Sequence, residues 1–244
     1  MAQEFKNLLL KNNVKYEDTI LNNVLIVDEK DIKNIDNSLY THQSLGSVLI
    51  VDCFSNDNPS TILDCCASPG GKAIYMEEKF NCTVVACDIH QHRVELIKKY
   101  ANRLKAKNIV ATLQDSTITN SNFINKFDKI LCDVPCSGSG TFISKPDVFL
   151  DMQEDLSELN NIQLHILNNC CKYLKNNGEL IYSTCSILEE ENDNIIKKFL
   201  NENKEFYVEK VALPIKSYTT QFGTTMLPNI SGTEGFFVTK LRRK

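Results

Sequence analysis

Cys136 and Cys185 stand forty-nine positions apart (185 − 136), each closing an apolar run. The first lies in Phe127-Asp-Lys-Ile-Leu-Cys-Asp-Val-Pro-Cys-Ser-Gly-Ser-Gly140, the second in Gly178-Glu-Leu-Ile-Tyr-Ser-Thr-Cys-Ser186. Each run has the length and composition of a short buried strand that breaks into a loop of small residues. If the two strands are neighbours in one parallel sheet, they lie about 5 Å apart. Both thiols then open onto one crevice at the carboxyl edge, where open α/β sheets hold ligands. Two thiols facing one pocket point to covalent chemistry more than to packing.

A second constellation, Asp64-Cys-Cys-Ala-Ser-Pro-Gly-Gly-Lys72, ends another apolar run just before a helical stretch. Paired glycines let the backbone approach a ligand closely, and a helix amino end offers free N–H donors. The run is not Gly-x-Gly-x-x-Gly, which disfavours a dinucleotide enzyme, and Lys72 lacks the spacer and earlier glycine of a Walker loop. A plain strand-to-helix turn leaves Pro-Gly-Gly-Lys unexplained. The next apolar run, Thr83-Val-Val-Ala-Cys-Asp88, ends in an acid eighteen residues past Gly70 (88 − 70). In doubly wound folds an acid at that place hydrogen-bonds ribose hydroxyls. Loop and acid together predict an adenosyl ligand held without phosphate-specific residues.

These residues need a scaffold that brings strand ends together. Apolar periodicity predicts strands over 61–66, 83–88, 109–114, 127–133, 178–184 and 236–241. Helices are predicted from the glycine loop to about residue 80, and over 91–105, 156–174 and 189–200. The second of these carries Val94, Ile97, Ala101 and Leu104 at helical spacing. Repeated βα units with short connections mean an α/β fold with a doubly wound, mostly parallel sheet. Asn56-Asp-Asn-Pro-Ser60 is a turn cluster. It divides the chain into a small N-terminal extension, 1–57, and a main domain, 58–244.

Composition bounds the rest. The chain has 244 residues, 42% of them hydrophobic, enough for a substantial core. No stretch reaches the roughly 18 consecutive apolar residues of a membrane span, and the N-terminus lacks the layout of a signal peptide. A soluble, cytoplasmic protein with no membrane partner is expected. Ten cysteines without a secretory signal imply reduced thiols. No Cys-x-x-Cys or paired-His pattern predicts a metal site, and Cys53, Cys82, Cys87 and Cys132 read as small core hydrophobes. A net charge of −4 is awkward for an autonomous nucleic-acid binder. The basic clusters at Lys98-Lys99, Arg103 to Lys107 and Lys240 to Lys244 read at least as well as a solvated helix face and a charged tail.

In order along the chain, Asp64 to Lys72, Asp133-Val-Pro-Cys-Ser-Gly-Ser-Gly140, Tyr182-Ser-Thr-Cys-Ser186, Glu190-Glu-Asn192 and Glu234-Gly-Phe-Phe-Val-Thr-Lys-Leu241 resemble the successive motifs of RNA cytosine-C5 methyltransferases. The resemblance runs from about Tyr40 onward and is strongest to the bacterial Sun/Fmu type, which acts on small-subunit ribosomal RNA. It implies a Rossmann-like class I domain of about seven strands that uses S-adenosyl-L-methionine.

Cytosine carbon 5 is too poor a nucleophile to take a methyl group unaided, so a thiolate must add at carbon 6 of a flipped base. By resemblance that nucleophile is Cys185, while Cys136 assists release, Asp133 supports protonation of the ring nitrogen, and Lys72 lies beside them. DNA cytosine methyltransferases use the thiol of Pro-Cys, which keeps Cys136 as the rival nucleophile. The same resemblance implies cofactor contacts from Cys66, Ala67, Ser68, Pro69, Gly70, Gly71, Lys72, Asp88, Asp115 and Asp133.

Three departures stand out. Ser68 replaces the family's usual Ala and Ala73 its usual Thr, both small changes. Gln43-Ser44 replaces Gln-Asp, which puts one substrate-side contact in question. The Sun/Fmu type usually carries a long N-terminal RNA-binding region, for which this sequence has room only for a remnant. Recognition is therefore expected to rest on a preassembled small-subunit particle or on a protein partner. Transfer-RNA methylation, or a catalytically silent module that helps ribosome assembly, are the alternatives.

Overall fold

The computed structural model describes residues 2–21, 23–148 and 155–244. The chain opens with α1 (Ala2–Lys11), a hairpin of β1 (Tyr16–Asp18) and β2 (Leu25–Val27), and α2 (Leu45–Asp52). The alternating unit follows: β3 (Thr61–Asp64), α3 (Gly71–Phe80), β4 (Thr83–Asp88), α4 (Gln91–Arg103), β5 (Ile109–Leu113) and β6 (Phe127–Asp133). Then come α5 (Ser157–Cys170), β7 (Leu174–Thr184), α6 (Asp193–Glu202), β8 (Phe206–Glu209), β9 (Tyr218–Thr219), β10 (Thr224–Met226), α7 (Pro228–Ser231) and β11 (Phe236–Arg243).

The main sheet runs β5-β4-β3-β6-β7-β11-β10-β9. Strands β5 to β7 are mutually parallel, and β11 inserts antiparallel against β7. The sheet has nine strands where about seven were expected. Six of them are the strands predicted from the sequence, and the other three are the short β8, β9 and β10, with β10 and β8 pairing successive halves of β11. Strand order reverses between β3 and β6, and this switch point opens a crevice at the carboxyl ends.

Alternation along each strand feeds two cores, because successive side chains leave opposite faces. Ile62, Val84, Leu131, Ile181 and Val238 pack on one face with Met76 and Phe80 of α3 and Ile97 of α4. Leu63, Ile130, Cys132, Leu180, Tyr182 and Phe237 pack on the other with Ile166 and Leu167 of α5 and Ile195, Ile196 and Phe199 of α6. Helices on both faces give the doubly wound α/β architecture that the periodicity predicts.

Two boundaries differ from the sequence reading. The predicted helix over 156–174 stops at Cys170, passes through a 3-10 turn (Cys171–Tyr173) and enters β7 at Leu174, four residues early. Asn177 adopts φ 62°, so Asn176-Asn177-Gly178, which reads as a turn, forms a bulge inside the strand. The predicted helix over 189–200 begins as a 3-10 turn (Glu189–Glu191) and is α-helical only from Asp193.

The stretch 1–57 packs in two parts. Leu9, Val14, Ile32 and Ile35 form a small cluster of their own. By contrast Val48, Leu49, Ile50, Val51 and Phe54 pack with the main sheet. The run 45–52 is apolar on all sides, so it carries no amphipathic stripe to betray a buried helix. The small cluster is tied to α4, where Arg103 donates to the carbonyls of Tyr40 and Asn37 and Thr41 bonds the Tyr100 hydroxyl.

The basic run at the end of the sequence is likewise built in. Lys240 pairs with Glu209 at 2.7 Å, and Arg242 pairs with Glu209 at 2.7 Å and Glu179 at 2.5 Å. Among the described residues no helix is long and apolar enough to cross a membrane.

Candidate active site

The crevice is built from the ends of five adjacent strands, β5, β4, β3, β6 and β7, and the loops that follow them. After β3, Cys65 N–H still donates to the Leu131 carbonyl at 2.9 Å, and Ala67 N–H donates to Cys87 of β4 at 2.8 Å. These bonds pin the loop between both neighbours before it turns. Gly70 makes the turn at φ +113°, where a side chain would be strained, and α3 starts at Gly71. Gln43 Nε2 donates to the Gly71 carbonyl at 2.7 Å. Ser44, the departure beside it, caps α2 by accepting from Ser47 N–H at 3.3 Å. That position has a structural use here.

The acids take the places expected of them. Asp88, 5% exposed, ends β4 and accepts from His90 N–H at 3.0 Å. Asp115, just past β5, accepts from the backbone and hydroxyl of Thr117 at 2.8 and 2.6 Å. Asp133 ends β6, where Lys72 Nζ pairs with its Oδ2 at 2.7 Å and Ser183 Oγ donates to its Oδ1 at 2.7 Å. Burial works against the Lys72 ammonium, but the neighbouring Asp133 outweighs it and keeps the charge. Of the loop residues, Pro69 points to solvent and Ala67 and Gly70 are buried.

The two thiols meet. β6 and β7 pair in parallel, with Asp133 opposite Ser183, and Cys136 Sγ lies 3.1 Å from Cys185 Sγ. The Cys185 thiol is pulled down by the hydrogen bond from Cys136 and by the Lys72 charge, against burial and Asp133. The Cys136 thiol is pushed up by donating that bond, by burial and by the nearby Glu191 carboxylate. The bond between the two sulfurs is the largest cause on each, lowering Cys185 and raising Cys136, which makes Cys185 the better thiolate.

Gly140 N–H donates to the Cys185 carbonyl at 2.9 Å, and Gly235 N–H donates to the Gly140 carbonyl at 2.8 Å. The two glycine backbones approach so closely that a Cβ on Gly140 would overlap the Gly235 carbonyl. Phe236, next in the chain, places its ring 5.9 Å from Lys72 Nζ.

Sequence reasoning missed Asp64. It ends β3, is 1% exposed, and neither carboxylate oxygen has a hydrogen-bond partner of ordinary geometry. Burial first and the Asp133 charge second push its carboxyl up to about 7, with Lys72 and the Cys66 backbone opposing weakly. Its position at a strand end beside the glycine loop was a usable signal, since acids there seldom lack a ligand or a role.

Three further thiols, Cys65, Cys132 and Cys170, gather with their sulfurs within 4.8 Å of one another. Spacing along the chain could not reveal them, because they come from the end of β3, from β6 and from α5. They lie in the apolar core beside Leu63 and Leu167, and no His or carboxylate joins the group. Their sulfurs are buried among apolar side chains, Cys65 Sγ lying 3.6 Å from Cys132 Sγ.

The sheet order, the switch-point crevice and the acids at successive strand ends define a Rossmann-like, class I methyltransferase fold. A model of the family described as 16S rRNA methyltransferase RsmB/F matches residues 51–242. A probable ribosomal RNA small subunit methyltransferase B of Bacillus subtilis is 36% identical over 211 residues, covering 83% of this chain and 47% of that protein. The chain belongs to the RsmB/F family.

It spans about half the length of the curated relatives it matches. Among solved structures, NSun6 from Pyrococcus horikoshii with SFG superposes with a TM-score of 0.77 at 25% identity, covering 89% of this chain and 56% of that one. A methyltransferase homolog protein from Pyrococcus horikoshii shares the fold, with a TM-score of 0.82 at 22% identity over 100% of this chain and 83% of that one.

Proposed function

We propose that this chain transfers a methyl group from S-adenosyl-L-methionine to carbon 5 of a cytosine in small-subunit ribosomal RNA, through a covalent bond from Cys185. The observation that carries the reading is the Cys136–Cys185 pair, 3.1 Å apart and beside the Lys72–Asp133 ion pair. The family, whose curated members are named for small-subunit ribosomal RNA, supports the substrate class.

The residues fit the cofactor. Asp64, Asp88, Asp115 and Asp133 end or follow four of the crevice strands and Lys72 pairs with Asp133, so the crevice is rich in carboxyl groups suited to a cationic ligand. The two unpartnered oxygens of Asp64 suit an ammonium or hydroxyl donor. The turn at Gly70 leaves the amino end of α3 free to receive the ligand's carboxylate. The NSun6 structure was solved with SFG, an S-adenosylmethionine analogue.

When bound, the cofactor supplies an electrophilic methyl group. The Cys185 thiolate adds to carbon 6 of the flipped base, forming the C–S bond and moving electron density to carbon 5. Asp133, held by Lys72 and Ser183, keeps the proton on the ring nitrogen during that addition. After methylation Cys136, its own proton given up to solvent once Cys185 has added to the base, takes the proton from carbon 5, and the returning electron pair breaks the C–S bond and frees Cys185. A silent assembly module has no need of this set of groups together, and nothing in the site favours transfer RNA. The net charge of −4 supports a substrate presented within a small-subunit particle or by a protein partner.

Trapping on labelled RNA tests the assignment. Cys185→Ala is expected to give no covalent adduct and no methylation. Cys136→Ala is expected to accumulate a denaturant-resistant protein–RNA complex, because attack proceeds while release stalls. The reverse pattern would make Cys136 the nucleophile, and bisulfite sequencing of ribosomal RNA with and without the protein locates the target.

A further inference from the structure

Each reactive cysteine is held on both sides, and the holders are consecutive residues. Glu191 is fully buried, with Oε1 accepting from Ser137 N–H at 2.8 Å and Gln163 Nε2 at 2.9 Å. Its Oε2 accepts from Ser137 Oγ at 2.6 Å. Gln163 also donates to the Pro135 carbonyl at 3.0 Å, so the residues before and after Cys136 are both tied to this carboxylate. Asn192, 2% exposed, does the same for Cys185. Its Oδ1 accepts from Thr184 Oγ1 at 2.6 Å, and its Nδ2 donates to the Ser186 carbonyl at 3.0 Å.

The pair is itself anchored. Tyr182 on β7 donates its hydroxyl to the Glu191 carbonyl at 2.6 Å, and α6, which starts at the next residue, buries Ile195, Ile196 and Phe199. No Lys or Arg pairs with Glu191 among the described residues. A buried carboxylate without a cation is costly unless hydrogen-bonded throughout, which makes it a poor choice for packing alone.

We infer that Glu191 and Asn192 are positioning residues that divide the labour of the thiol pair, Glu191 setting Cys136 for release and Asn192 setting Cys185 for attack. This rests on the reading that the two thiols perform the chemistry proposed above. Neither residue touches the reacting atoms, so each acts only through the loop it holds.

Two measurements separate the inference from that reading. Without RNA, diamide oxidises Cys136 and Cys185 to a disulfide as the diazene is reduced to the hydrazine, and peptide mapping follows the rate. Glu191→Ala and Asn192→Ala are expected to slow it at least 5-fold, while Glu190→Gln, at the exposed neighbour, leaves it unchanged. With RNA, Glu191→Ala is expected to keep first-turnover methylation within about 3-fold while the adduct accumulates. Asn192→Ala is expected to lower adduct formation and first turnover together by more than 10-fold.

Should either alanine variant fail to fold, the near-isosteric Glu191→Gln and Asn192→Asp decide, each checked by thermal melting. Folded variants with an unchanged disulfide rate, or with the same defect in both steps, overturn the inference. A wild-type protein that makes no methylcytosine while the disulfide rate still depends on the pair overturns the functional reading and leaves the positioning role standing.

Discussion

The neighbouring strands β3, β6 and β7 carry buried charge at both edges of the sheet, and the two edges are built on opposite terms. At the amino edge Lys129 and Glu179, each 1% exposed, pair at 2.9 Å. Ser55 N–H reaches the same Glu179 oxygen at 2.9 Å, and Arg242 and Lys240 flank the other at 2.5 and 3.3 Å. Burial pushes the Glu179 carboxyl up, but Ser55 and Lys129 outweigh it and hold it at about 2.

At the carboxyl edge neither oxygen of Asp64, at the end of β3, has a hydrogen-bond partner of ordinary geometry, burial pushes its carboxyl up to about 7, and the Cys136 and Cys185 sulfurs lie 3.1 Å apart. One end is satisfied by the protein itself and braces the sheet. The other is left unsatisfied, as a site is when its missing partners arrive with the ligand.

The contrast breaks first if Glu179 proves dispensable. Glu179→Ala leaves Lys129 and the adjacent cations without their carboxylate and is expected to cost about 3–5 kcal/mol of stability. Chemical denaturation measures it, and a change under 1 kcal/mol would mean the amino edge is no brace.

The pH dependence of stability sharpens the contrast, because the two carboxyls act with opposite sign. Glu179 is depressed in the fold, so its contribution, on the order of 2–3 kcal/mol, is present above the unfolded value near 4.5 and is lost as pH falls toward 2. Asp64 is raised, so the fold keeps a proton that the unfolded chain loses between about pH 4 and pH 7. Stability falls with rising pH across that window, again by on the order of 2–4 kcal/mol. Asp64→Asn should remove this second slope and leave the acid limb intact, as urea titrations from pH 3 to pH 8 will show.

The smallest effect is expected at Asp88. Asp88→Ala should weaken S-adenosylmethionine binding by about 1.5–3 kcal/mol through loss of charge-assisted hydrogen bonds, with stability shifted by no more than about 1 kcal/mol. Calorimetry showing equal affinity would remove Asp88 from the site.

What the sequence made legible was whatever is local. Short apolar runs reported the parallel strands, and the turn residues reported where Lys72, Asp133, Cys136 and Cys185 leave them. Glu179 was hidden because its partners come from Ser55, Lys129 and Arg242, far away in the chain, and only the folded register unites them. For the same reason Lys240 and Arg242 read as a charged tail and not as half of an ion network. Strands β8 to β10 are four, two and three residues long, too short for a period to announce them. Asp64 was quoted within a motif, yet its raised carboxyl is a property of burial that no spacing encodes. Asn192 and Glu191 were visible as a motif, but the use of Glu191 depends on the Ser137 loop far upstream in the chain and that of Asn192 on how the turn after β7 folds back.

The contact between Gly140 and Gly235 sets an order in time. Strand β11 and the two residues that lead into it are made after every other part of the crevice, yet Gly235 braces the Cys136 loop and Phe236 covers Lys72. A chain still being synthesised through residue 230 can already hold β3 to β7 as a parallel sheet, because those pairings are complete without β11. It cannot yet close the thiol site. Nascent chains therefore hold the thiol pair through Glu191 and Asn192 before Gly235 reaches the Gly140 carbonyl, and the docking of β11 is the step that completes the crevice.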